Sequence, residues 1–194
     1  MKRMIAAALA AVLVATSAPA VSNAQGVVVK EVIASNISVQ DPSTQQDFEN
    51  GKVIEITDSS VTESVKDTEN GVVVTAVKSS NKKVKLSGTV NNKKITEISS
   101  SAFKNCKKAE TIDLTDVELT TLKKNQFKGA SKAKTIKINA KNLTAKKINA
   151  KALKGCKAKK IVLTCKSKSA YNKLVKQLKK SAPKGTKFSF KKAK

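Results

Sequence analysis

Residues 95–118, ITEISSSAFKNCKKAETIDLTDVE, and residues 119–142, LTTLKKNQFKGASKAKTIKINAKN, align without a gap. Apolar and small residues recur at a spacing of 24: Ile95 and Leu119, Ile98 and Leu122, Phe103 and Phe127, Cys106 and Ala130, Ala109 and Ala133, Ile112 and Ile136, Leu114 and Ile138. Residues 143–166, LTAKKINAKALKGCKAKKIVLTCK, continue the theme after an insertion of two, with Leu153 in the phenylalanine place and Cys156 in the cysteine place. A fixed period in the twenties signals a solenoid, in which each unit buries its inner face only against its neighbours.

Within each unit one segment alternates apolar and polar, as a half-buried strand does. These segments are Thr111-Ile112-Asp113-Leu114, Thr135-Ile136-Lys137-Ile138 and Ile161-Val162-Leu163. The isoleucines and leucines are expected to point inward, leaving Thr111, Asp113, Thr135, Lys137 and Val162 on the open face as candidate partner-binding positions. Phe103 to Ile112 spans nine positions and Leu153 to Ile161 eight, which leaves the register of the third strand open.

The pattern Ile-x-x-Ile-x-x-x-Ala-Phe-x-x-Cys-x-x-Ala-x-x-Ile-x-Leu at 95–114 resembles the BspA-type leucine-rich repeat of exported and surface proteins of bacteria. Gly71 to Val77, Lys83 to Leu86 and Thr89 to Ile95 resemble the strand-rich lead-in of that family, and Tyr171 to Leu178 with Lys187 to Phe190 resemble its closing segment. Alanine at 109, 133 and 158, where the family usually has leucine, and Leu153 for phenylalanine thin the expected core. The resemblance implies a β-rich leucine-rich-repeat solenoid of about three repeats over 95–166. The turn signals Asn50-Gly51 and Asn70-Gly71 bracket an antiparallel β-rich capping unit expected over 50–94. Tyr171, Leu174, Val175 and Leu178 form one helical stripe, and Phe188 and Phe190 alternate, so 167–194 reads as a helix–strand cap with a basic tail. Residues 25–49, ending in the polar stretch 40–50, read as a flexible linker.

The first 24 residues read as a secretory signal peptide: a basic start at Lys2-Arg3, an apolar run from Met4 to Ala15, and small residues at Ser22 and Ala24. Ser17, Pro19, Ser22 and Asn23 interrupt the run well before the roughly 20 apolar residues that a span needs. The mature chain is therefore expected outside the membrane, secreted and either released or retained at the surface by charge. From Gln25 to Ser80 there are four lysines and nine acids, whereas from Asn81 onward 33 lysines face five acids. Arg3 is the only arginine, so the mature positive charge is all lysine, a hydrated point charge suited to diffuse, salt-sensitive attraction rather than sequence-specific nucleic-acid recognition.

With no histidine, imidazole-based nucleophilic catalysis and imidazole metal sites are excluded. One tyrosine, five phenylalanines and no tryptophan are too few for base stacking. Asp113, Asp116 and Glu118 are the densest acid group, but no second carboxylate wall or calcium loop accompanies them, and they read as surface acids paired with lysines. No enzyme activity, cofactor or metal is expected. Cys106 and Cys156 occupy equivalent places two rungs apart, near 10 Å at about 4.8 Å per rung, too far for a bridge that needs Cα atoms within about 7 Å. Two functions remain: a secreted or surface-associated binding module that meets a protein or glycan through the repeat face, or a cationic exported protein held to anionic wall polymers or extracellular nucleic acid.

Overall fold

A computed structural model describes residues 36–39, 41–58 and 60–194. The expected signal peptide and residues 25–35 of the expected linker lie outside the described residues. The described residues belong to one compact unit.

The periodic segments pair as foreseen. Strands β8 (Thr111–Leu114), β9 (Thr135–Asn139) and β10 (Lys160–Cys165) lie parallel, with Ile112 beside Ile136 beside Ile161 and Leu114 beside Ile138 beside Leu163. The residue missing from the third unit is absorbed before the strand. Ala109 and Ala133 donate their N–H groups to carbonyls three residues back, whereas Ala158, only two residues after Cys156, donates to the Cys156 sulfur at 3.3 Å. A turn therefore takes up the irregularity, and the strand register is preserved.

Three strands were expected in this sheet, and it holds five. Strand β5 (Lys83–Lys85), from the expected leading unit, pairs with β8, and β11 (Lys187–Lys192) pairs with β10 along its full length. Helix α2 (Lys168–Leu178) joins β10 to β11, as a parallel connection requires a crossover. Ser167 accepts the N–H of Ala170 at its start, and Tyr171, Leu174 and Leu178 are buried. The Tyr171 ring meets Phe190 edge-on at 5.5 Å, which fastens the helix to the last strand.

The second sheet has six strands in the order β1 (Asn36–Ile37), β6 (Thr89–Val90), β7 (Lys93–Ile98), β4 (Gly71–Ser79), β3 (Val61–Thr68) and β2 (Val53–Asp58). It is antiparallel from β2 to β4, whereas β7 joins β4 in parallel and runs across residue 94, from Lys93 to Ile98. The linker expectation for 41–49 also needs correction, because Pro42–Glu49 is helix α1. Asp41 accepts the N–H groups of Ser43 and Thr44, Pro42 opens the first turn with its φ already helical, and Phe48 is fully buried. A single buried aromatic anchors a segment whose overall polarity reads as loop.

The repeat columns form the core between these elements. Phe103, Phe127 and Leu153 are all fully buried, and the two rings stack at 5.8 Å. Gln126 stands in this interior where the other units have Ala102 and Ala152. Its amide N–H groups donate to the carbonyls of Ile98 and Ser99, and its oxygen accepts the N–H of Lys123, so a polar side chain is tolerated by holding two successive units together.

Glu63 on β3 is 1% exposed; one carboxyl oxygen accepts the N–H of Ser87, and the other has no partner among the described residues. Burial, aided by nearby Asp58, pushes its pKa from 4.5 to about 7. Below pH 4.5 the carboxyl is neutral both folded and unfolded, so it imposes no penalty. As pH rises toward 7 only the unfolded chain ionises, and folding loses up to about 1.4 kcal/mol per pH unit, a total of about 3 kcal/mol above that window. Glu63→Gln should therefore match the parent at pH 4.5 and gain on it by about that amount at pH 8, as read by urea unfolding. A difference independent of pH would rule out a buried neutral carboxyl.

Candidate functional site

Parallel pairing converts the alternating strands into rows of side chains. One row runs Lys83, Thr111, Thr135, Lys160 and Lys187, and the next runs Lys85, Asp113, Lys137, Val162 and Ser189. A third, shorter row contains Asn139, Thr164 and Lys191. All stand on the face opposite Ile112, Ile136 and Ile161, because successive residues of a strand point to opposite sides.

All five positions expected on this face therefore lie in adjacent places: Thr111 beside Thr135, and Asp113 beside Lys137 beside Val162. Thr111, Thr135, Lys137 and Val162 are half-buried. Asp113 departs from the expectation of a surface acid, since it is only 4% exposed. The Lys137 ammonium donates to it at 2.9 Å, and the Thr115 hydroxyl and N–H donate at 2.7 and 3.2 Å. Burial alone would raise its pKa, but the Thr115 hydroxyl and the Lys137 ammonium outweigh burial and hold it below the ordinary value. The pair spans neighbouring strands, so it makes the centre of the face rigid and nearly neutral.

Lys83, Lys85, Lys160, Lys187 and Ser189 extend the two rows and were not among the expected positions. The alternation of Lys83-Val-Lys-Leu86 and of Phe188 with Phe190 carried the signal. Neither segment matches the repeat spacing, so periodicity alone left them outside the sheet.

Every acid after residue 80 is ion-paired. Glu97 meets Lys123, Glu110 meets Lys134, Asp113 meets Lys137, Asp116 meets Lys85 and Glu118 meets Lys94, at 2.7 to 3.4 Å. Three of these pairs join residues 24 apart, so the acids of the first unit neutralise lysines on adjacent units. Apart from the buried Asp113–Lys137 pair, such exposed pairs add little stability, but all of them cancel charge locally. Beyond residue 118 there are 25 lysines and no acid, which concentrates uncompensated positive charge on the later rungs.

The remaining chemistry is quiet. Cys106, Cys156 and Cys165 are free and buried. Burial pushes the Cys106 thiol up to about 11 and raises the other two, so none is an activated nucleophile. Among the described residues no three histidine, cysteine, aspartate or glutamate side chains gather as a metal set. None of the described helices is long and apolar enough to cross a membrane.

Comparison with curated proteins and with solved structures returned no match. A family pattern does match: the BspA type leucine rich repeat region, in six copies over residues 78–180. The match begins just before β5 and ends just after α2, and thus reaches past the three units visible in the sequence toward both edges of the parallel sheet. With the repeat columns buried, the strands in register and the pattern covering more than half of its length, the chain belongs to the BspA-type leucine-rich-repeat family.

Proposed function

We propose that this chain is a secreted or surface-associated, non-catalytic binding module that meets a protein or glycan with the open face of its parallel sheet. In this reading β5, β8, β9 and β10 are the rungs of a short solenoid, closed at one end by the antiparallel strands and at the other by α2 and β11. Membership of a repeat family that typically serves as a binding module supports the reading. The observation that carries it is the alignment of side chains into straight rows across five strands, with a rigid Asp113–Lys137 pair at their centre. Such a face offers one pre-ordered surface, which lowers the entropy cost of binding.

The pairing of every acid after residue 80 favours a second reading, electrostatic attachment to anionic matter outside the cell, since the excess lysines of that stretch have none of its own acids left to neutralise them. Retention of the purified chain on the envelope fraction of producing cells, washed at about 0.15 M and then about 1 M NaCl, separates the two readings. A shape-matched contact through the face should survive the stronger wash and be lost in the double variant Thr135→Glu, Val162→Glu, with the melting temperature nearly unchanged. Those positions leave the Asp113–Lys137 pair intact, whereas Lys137→Glu would set a carboxylate against a buried carboxylate. Release by salt alone, equal in parent and variant, would decide for electrostatic attachment.

A further inference from the structure

The turns that lead into the parallel strands stack as regularly as the strands. The N–H of Lys134 donates to the carbonyl of Glu110, that of Lys159 to Lys134, and that of Lys187 to Lys159, at 2.8 to 2.9 Å. Counted back from this register, Lys108, Lys132, Lys157 and Lys184 share one sequence column, three residues before the first strand residue, and Glu110, Lys134, Lys159 and Thr186 share another, two residues on. Lys160 and Lys187 flank these columns at the first position of their strands. All of these lysines are exposed.

Two clefts open between successive turns. One, of about 640 Å³, lies between 156–160 and 183–187; the other, of about 300 Å³, lies between 131–134 and Lys157 with Lys159. Lys157 and Lys159 border both, so the two clefts adjoin the same turn and together make one lysine-lined groove region along this edge. The Thr186 hydroxyl lies 2.8 Å from the carbonyls of Ala158 and Pro183 and ties together the two turns that wall the wider cleft. Glu110 is the one acid on the lining, and it is engaged by Lys134 at 3.4 Å. Among the described residues, Lys132, Lys157, Lys159, Lys160, Lys184 and Lys187 have no carboxylate within 4.0 Å. No aromatic side chain borders either cleft.

We propose that this lysine groove, on the strand-entry edge of the sheet, binds a linear phosphate polymer whose backbone charges, and not bases or sugar rings, are what is recognised. The proposal rests on the electrostatic reading and gives it a place and a ligand class. At least two lysines on each of the three turns that wall the clefts, at about 4.8 Å per rung, form a track of positive charge that suits a chain with phosphates at short, regular intervals. Lysine ammonium groups on flexible stems can follow such a chain without fixed geometry, whereas planar readout would call for arginine. The absence of aromatic platforms from the lining removes the stacking by which bases are held.

The test uses inorganic polyphosphate of about ten phosphates, titrated against the full chain by fluorescence anisotropy at several salt concentrations. The variant Lys132→Gln, Lys157→Gln, Lys159→Gln, Lys184→Gln is compared with Lys146→Gln, Lys147→Gln, Lys173→Gln, Lys176→Gln, which removes the same charge elsewhere. The groove variant should bind at least about tenfold more weakly, with the salt slope reduced by about 3, and the control variant should lose less than about threefold. Melting temperatures should be unchanged, because every substituted lysine is exposed. Equal losses in the two variants would overturn the groove and leave the electrostatic reading standing. No binding by the parent at low salt would overturn both. A single-stranded oligonucleotide of equal phosphate count should bind no more tightly than polyphosphate; tenfold tighter binding would overturn the base-free assignment.

Discussion

Phe127→Ala should lower the unfolding free energy by about 3–5 kcal/mol, the usual cost of truncating a fully buried aromatic side chain. Phe127 is 0% exposed, stacked on Phe103 with the rings 18° from parallel, in the same column as fully buried Leu153. The column stands behind a sheet whose strands are bound to neighbours on both sides, so the units cannot slide together to fill the void. For a domain whose total stability is on the order of 5–15 kcal/mol, a loss of that size leaves a substantial unfolded fraction on warming. Urea unfolding followed by far-UV circular dichroism measures it. The third unit supplies the natural control: it has Leu153 in this place, so Phe127→Leu should cost less than about 1.5 kcal/mol if the column tolerates a change of shape at similar volume. A loss below about 1 kcal/mol for Phe127→Ala would mean that the column is not the core.

Gly129→Ala is the second large effect, expected at about 2–4 kcal/mol from backbone strain and overpacking together. Gly129 has φ +96°, in the left-handed region, and a Cβ built there would lie 2.6 Å from the Cα of Lys104 in the preceding unit. Backbone cannot swing aside as the end of a side chain can, so one of the two turns would have to move. At Gly155, the corresponding place one unit on, a built Cβ would lie 3.3 Å from the Lys128 side chain, a milder contact that the side chain can relieve. Gly185 separates the two contributions, since it has φ +82° with nothing within 4 Å. Gly185→Ala should show the conformational cost alone, about 1–2 kcal/mol. If thermal melts give equal losses for the two variants, the close approach of the turns carries no cost.

Much of the fold was legible because burial and strand alternation leave a local, repeating trace. The seven columns that begin at Ile95, Ile98, Phe103, Cys106, Ala109, Ile112 and Leu114 could be read from spacing alone, and all are buried. The stripe of α2 and the alternation of β11 were visible for the same reason. Helix α1 was not, because its stability comes from the cap at Asp41 and one buried phenylalanine, against a background of polar residues. The candidate face was half legible. Alternation identified its middle, but its ends on β5 and β11 depend on pairing partners far away in the chain.

The sequence by itself determined that apolar residues would stack in columns at a period of 24, that the strands would expose one polar face, and that the charge would divide near residue 80. These properties depend on residue type and local spacing. Tertiary structure alone decided which charges survive at the surface and where they gather. Asp113 is buried under Lys137, Glu63 is buried with one oxygen on the Ser87 N–H, and the lysines of separate turns gather along one edge only when hydrogen bonds between units set their register. Charge interactions act through space over several ångströms, so they depend on which distant segments are brought together, a quantity that no local spacing records.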